Sequence, residues 1–221
     1  EDEDGNDHVI NRISQVPEYQ LVNGESNPLG VWCHEFGHEL GLPDYYDTDG
    51  SSEGVGNWAV MAAGSWGNNG ETPVYFSAYS RYWLGWDEPI TIEDDITNLV
   101  IEPVSEGGNI YKLPIPGNWS ESGEYFLLEN RQKTKYDSYL PGEGLLIWHI
   151  DEEIMFSKWS SNTVNNDEEH KGMDLEEADG NDDLDSGANR GDNGDPYRSG
   201  NFSKDTYPNS LAYNGTESGW K

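Results

Sequence analysis

The segment CHEFGHELGLPDYYD, residues 33–47, restricts the fold more than any other part of the chain. An α-helix turns once in about 3.6 residues, so His34 and His38 project from one face, one turn apart. That spacing suits two imidazole nitrogens on a single zinc ion at about 2.0–2.1 Å. Glu35, directly after the first histidine, cannot easily bind the same ion. It can reach a water on that ion and take its proton.

The residues that follow extend the pattern. Gly41 lets the chain turn sharply out of the helix. Asp44 falls six residues after His38, the spacing at which metzincin-type proteases place a third ligand, here with aspartate in place of histidine. A carboxylate oxygen ligates zinc at about 2.0–2.2 Å. Asp47 and Glu53 lie close enough along the loop to serve instead, or to hold Asp44 or a calcium ion.

Local signals frame this segment. A helix is expected over residues 27–41, capped by Ser26 or Asn27, with Pro28 in its first turn and Gly41 and Pro43 at its end. Leu29, Trp32, Cys33, Phe36 and Leu40 recur at three- and four-residue steps, which predicts an apolar stripe lying on a core. His34 and His38 fall roughly 200° around the helix from Phe36 and Leu40 and should face away from that core. Residues 47–72 read as an ordered loop, and residues 73–86 as a second helix. The period then changes to two, which predicts four strands in residues 97–104, 109–115, 123–132 and 142–153.

Asp and Glu number 43 against 12 Lys and Arg, a formal net charge of −31. Such a field repels nucleic acid and anionic membranes. Two explanations fit it: surface carboxylates adapted to high salt, and clustered carboxylates that bind calcium. Asp179, Asn181, Asp183 and Asp185 place oxygens at alternating positions in ADGNDDLD, a candidate calcium loop. It lacks the sixth-position glycine and the closing glutamate of an EF-hand. The single cysteine, Cys33, excludes an internal disulfide and suits an apolar filler. No run approaches the ~20 apolar residues that span a bilayer. Asn118, Asn201 and Asn214 begin N-x-S/T sequons, a hint of export. His149, in LLIWHIDEE, reads either as a structural histidine of a buried strand or as an oxyanion-stabilising group at a cleft edge.

HEFGHELGLPDYYD resembles the signature of the immune inhibitor A-like metallopeptidases, secreted zinc endopeptidases. GNWAVMAAGSWG is similar to that family's methionine turn. FSAYSRYWLGW, YFLLENRQKTKYDSYLPGEGLLIWHID and DLEEADGNDDLDSGANRGDNGDP are similar to its downstream segments, so the likeness runs in order from about residue 28 to 200. The resemblance implies an α+β, zincin- or metzincin-like domain with an active-site helix, a Met-turn loop and a following antiparallel β region. It implies zinc on His34, His38 and Asp44, Glu35 as general base, Met61 as the floor beneath the metal, and protein or peptide substrates outside the cell.

One departure qualifies this. In such proteases an upper subdomain supplies an edge strand that holds the substrate. Only 33 residues precede His34, and they show no strand-like alternation. The expected organisation is therefore a catalytic domain over residues 1–160 with its N-terminal part missing. Residues 161–221 would be an acidic, turn-rich, calcium-supported continuation of the same domain. Competing readings are a non-catalytic, metal-stabilised extracellular binding module, an inactive fragment, and a salt-adapted structural protein with a chance motif. Intact His34, Glu35 and His38 argue against the first of these.

Overall fold

The computed structural model describes residues 16, 29–115 and 123–220. The expected cap at Ser26 or Asn27, Pro28 and the sequon at Asn118 lie outside them. The helix α1 spans Leu29–Glu39 and is followed by a long loop with 3-10 turns at Gly56–Trp58 and Ala63–Gly70. Then come α2 (Ala78–Trp83), β1 (Ile90–Thr91), β2 (Tyr111–Pro114), β3 (Glu124–Arg131), β4 (Gly144–Asp151), α3 (Glu152–Trp159) and β5 (Met173–Leu175). The five strands form one sheet in chain order, β1 parallel to β2 and the other pairs antiparallel. The fold is thus α+β, with a mixed sheet where an antiparallel one was expected.

The β3–β4 pair runs over eight residues, with Leu127 opposite Trp148 and Phe126 opposite His149. Alternation sends Leu127, Trp148 and Ile150 to the main core, while Phe126 and Ile147 join a smaller cluster with Ile115 and Ala212 on the other face. The sheet is therefore covered on both sides.

Several expected elements differ. Residues 97–104 form no strand: Asn98 is left-handed at φ +58°, Leu99 and Val100 are exposed, and Pro103 leads into a 3-10 turn over Val104–Glu106. The edge position goes instead to Ile90–Thr91. The second helix is confined to Ala78–Trp83, entered through the Ser77 hydroxyl, which accepts the Ser80 amide. The expected strand over 142–153 ends at Asp151, whose Oδ1 accepts the amides of Glu153 (2.9 Å) and Ile154 (3.2 Å) and so starts α3.

The largest correction concerns α1. Most of its apolar stripe faces outward, with Trp32 52% exposed, Phe36 58% and Leu40 36%, while Cys33 packs half-buried against the core. The buried positions are Gly30 and Gly37. A Cβ on Gly30 would lie 1.7 Å from the Ser65 carbonyl oxygen, and one on Gly37 would lie 2.2 Å from Met61 Sδ. Close backbone approach to the 59–70 segment, which only small residues permit, orients the helix in place of side-chain bulk. His34 and His38 consequently point into the molecule.

A second buried group sits on the sheet's other face. His149 lies between Glu124 (Nε2–Oε2 3.1 Å) and Glu176 (Nδ1–Oε1 3.2 Å) and stacks on Tyr213. Burial lowers its pKa, but the two carboxylates outweigh burial and raise it to about 9.

Three outcomes follow. Alanine normally gains about 1 kcal/mol over glycine inside a helix, yet Gly30→Ala should lose roughly 1–3 kcal/mol through overpacking. Phe36→Ala should change stability by less than about 0.5 kcal/mol, as measured by denaturant midpoints. For His149, the folded-state pKa is raised, so its contribution is complete below about pH 6.5 and lost as pH rises through about 9. The stability of the unaltered protein should fall between pH 7 and 10 by more than that of His149→Gln.

Candidate metal centre

The end of α1 builds the site. Gly41, at φ +103°, donates to the His38 carbonyl (2.9 Å), and Leu42 donates to the Gly37 carbonyl (3.0 Å). This is a Schellman cap, and it reverses the chain within three residues. The Trp159 indole of α3 donates to the Gly41 carbonyl (2.9 Å) and pins the turn. Asp44 is thereby returned to the helix face it has just left, buried at 4% exposure.

His34, His38 and Asp44 bring donor atoms within 4.8 Å of one another. The Asp44 Oδ1 lies 3.0 Å from His34 Nε2 and 3.2 Å from His38 Nε2. On the far side of each ring, His34 Nδ1 donates to the Val60 carbonyl (2.9 Å) and His38 Nδ1 to the Leu42 carbonyl (2.8 Å). Carbonyls only accept, so in the neutral rings the Nδ1 atoms carry the hydrogens and both Nε2 atoms present lone pairs to Asp44. Oδ1 is buried and makes no hydrogen bond of acceptable direction despite its two near neighbours. Three lone pairs converging on one point require a positive charge there, a proton or a metal ion.

The other carboxylate oxygen is held from a distance in sequence. Asn162, left-handed at φ +57°, donates Nδ2 to Asp44 Oδ2 (2.6 Å), and its Oδ1 accepts the Asp44 amide (2.7 Å). Burial raises the Asp44 pKa, but hydrogen bonds from the two imidazoles, once a proton sits on Nε2, and from Asn162 together hold it well below the usual carboxylate range. The same carboxylate raises His38, against the opposing effect of burial.

The rival ligands are occupied elsewhere. Asp47 accepts from the Asp49 and Ser52 amides and the Ser51 hydroxyl and closes its own loop. Glu53 pairs with Arg190 at 2.8 Å. Glu35 lines a cleft of about 500 Å³ together with His34, Tyr46, Trp66 and Arg190. Met61 is fully buried with its sulfur against Gly37, between the two histidines on α1. His149 lines a different cavity, beside Glu176 and Tyr213.

Two contributors carry no short-range signal. Asn162 is 118 residues from Asp44, and neither its residue type nor its neighbours mark it. Tyr46 stacks on His34 with 6.2 Å between ring centroids, and its phenol is pushed up to about 12 by burial first, then by Asp44 and Glu35. Its position two residues after Asp44 was the only available hint.

The expected calcium donors do not converge. Asp185 is ion-paired with the buried Lys171, Asp183 Oδ2 accepts from Asn189, and Asn181 folds back onto Asp179. Among the described residues, the second group of metal-ligand type is Glu177, Asp179 and Asp195.

Residues 5–87 match the family described as immune inhibitor A peptidase M6, catalytic domain. Immune inhibitor A of Bacillus thuringiensis subsp. alesti is 44% identical over 64 residues, 27% of this chain and 9% of that protein. Pre-pro-metalloprotease PrtV of Vibrio cholerae serotype O1 (strain M66-2) is 46% identical over 59 residues, 25% of this chain and 6% of its own length. The chain thus spans less than a tenth of the curated relatives it matches. Across residues 5–87, which hold the His34–His38 helix, Asp44 and Met61, the chain is thus similar to the catalytic domain of the immune inhibitor A peptidase M6 family.

Proposed function

We propose that this chain carries the catalytic centre of an exported zinc endopeptidase, with His34, His38 and Asp44 as the metal ligands and Glu35 as the general base. The observation that carries the reading is the buried, unbonded Asp44 Oδ1 facing two imidazole nitrogens whose opposite sides are tied to carbonyls. Two nitrogens and one carboxylate oxygen, with room left on the cleft side, match the donor set of an open catalytic zinc site. Zinc bound there supplies Lewis acidity that polarises a peptide carbonyl and lowers the pKa of an attacking water.

The chain's own groups supply the rest. Glu35, beside His34 on the cleft, takes the water proton and passes it to the leaving amine. The Tyr46 phenol, protonated at neutral pH as tyrosines are, donates a hydrogen bond to the developing oxyanion. The carbonyls of Val60 and Leu42 fix the ring tautomers, and Asn162 fixes the carboxylate. Met61 closes the floor under α1. The net charge of −31 fits work in concentrated salt outside the cell. No described helix is long and apolar enough to cross a membrane.

The test is cleavage of an unfolded protein in molar salt with added zinc and calcium. Glu35→Gln should cut the rate by about 10²–10⁴-fold while the protein still binds one zinc. Asn162→Ala should weaken zinc by about 10–100-fold through loss of the carboxylate clasp. Zinc binding that survives Asp44→Ala unchanged would refute the ligand assignment. Equal cleavage by Glu35→Gln would refute the base.

A further inference from the structure

The second carboxylate group lies in the acidic C-terminal third. Glu177, Asp179 and Asp195 bring one oxygen each within 4.8 Å of one another. Two oxygens on opposite sides of one calcium ion, each at about 2.4 Å, are separated by that distance. Among the described residues no lysine or arginine nitrogen pairs with any of the three. Asp195 is 1% exposed. Its Oδ2 accepts from the Trp58 indole (2.9 Å) and the Asp192 amide (3.1 Å). Its Oδ1 is buried with no partner.

The surroundings hold these oxygens together. Glu177 is fixed by the amides of Asp183 (2.8 Å) and Leu184 (2.9 Å), one on each oxygen. The Ala178 amide donates to the Asp195 carbonyl (2.9 Å), which laces the two segments together. The Gly194 backbone packs close to the Asp179 carboxylate, since a Cβ there would stand 2.1 Å from Asp179 Oδ2. Burial and mutual repulsion push Glu177 up to about 8 and Asp195 up to about 6, as expected of carboxylates crowded without a counter-charge.

We infer that Glu177, Asp179 and Asp195 form a binding site for one hard divalent cation of the calcium class. An all-oxygen set of three carboxylates selects such a cation over zinc. The site differs from the alternating loop expected over residues 179–185, with which it shares only Asp179. It also reaches toward the first metal centre. Trp58 bonds Asp195, and two residues further on the Val60 carbonyl holds His34. The cation thereby braces the loop on which the histidine's orientation depends, whether or not the chain cleaves peptides.

Terbium(III), a hard-cation probe excited through indole, reads the site directly in the zinc-saturated protein. One terbium should give sensitised emission that calcium displaces. Asp179→Asn and Asp195→Asn should each weaken calcium by at least 10-fold and abolish the calcium-dependent rise in thermal midpoint. Asp179 is exposed, so its variant keeps the test valid if Asp195→Asn does not fold. Glu88→Gln, an exposed acidic change elsewhere, should leave both readouts unaltered. A loss in Asp179→Asn no greater than in Glu88→Gln would overturn the site. Zinc stoichiometry measured in the same samples keeps that failure separate from a failure of the protease reading.

Discussion

The buried guanidinium of Arg131 is the contact on which the rest of the structure depends. It stands at the end of β3 with no exposed surface and binds Asp137 through Nε (2.6 Å) and Nη2 (2.6 Å). Its Nη1 reaches Glu129 Oε1 and the Trp58 carbonyl, both at 3.2 Å. Glu129 in turn accepts from Trp148 on β4 and from Arg81 on α2. Burial lowers the Arg131 pKa, but the two carboxylates outweigh it and hold the group charged. One ion network therefore ties the central strands, α2 and the 55–62 loop into a unit. Breaking a buried pair of this kind typically costs about 3–5 kcal/mol.

That network also bears on the candidate metal centre. The 55–62 loop gives α1 its contact through Met61 and gives His34 its carbonyl partner through Val60. The loop is held from three directions: Arg131 on the Trp58 carbonyl, Asp195 on the Trp58 indole, and the Tyr45 amide on the Met61 carbonyl (2.9 Å). A binding site held to within about half an ångström needs this kind of over-determination.

What could be read from residues alone follows the range of the interactions involved. The two histidines, Glu35 and the Gly41 turn depend on spacing within a helix and its cap, so their placement on α1 was legible. The long alternating runs of β3 and β4 were legible for the same reason. The side of α1 that packs was not. Periodicity reports where bulk lies, whereas here Gly30 and Gly37 decide the contact. Residues 97–104 look like a strand by residue type, but Asn98 and Pro103 interrupt the backbone. The three residues of β5 and the helix α3 were hidden in a charged stretch. The Asp195 site joins oxygens far apart along the acidic run, and no local spacing marks it.

The Asn162 clasp sets an order of events in folding. His34, His38 and Asp44 lie within eleven residues of one another and can form their helix and cap early, since local contacts close at small entropic cost. Asp44 gains the partner that fixes its carboxylate only when a segment 118 residues later has docked. A chain that has made only its first half therefore holds two aligned imidazoles and an unanchored carboxylate. The candidate metal centre is in this sense a late product of folding, completed only once the segment after α3 has docked.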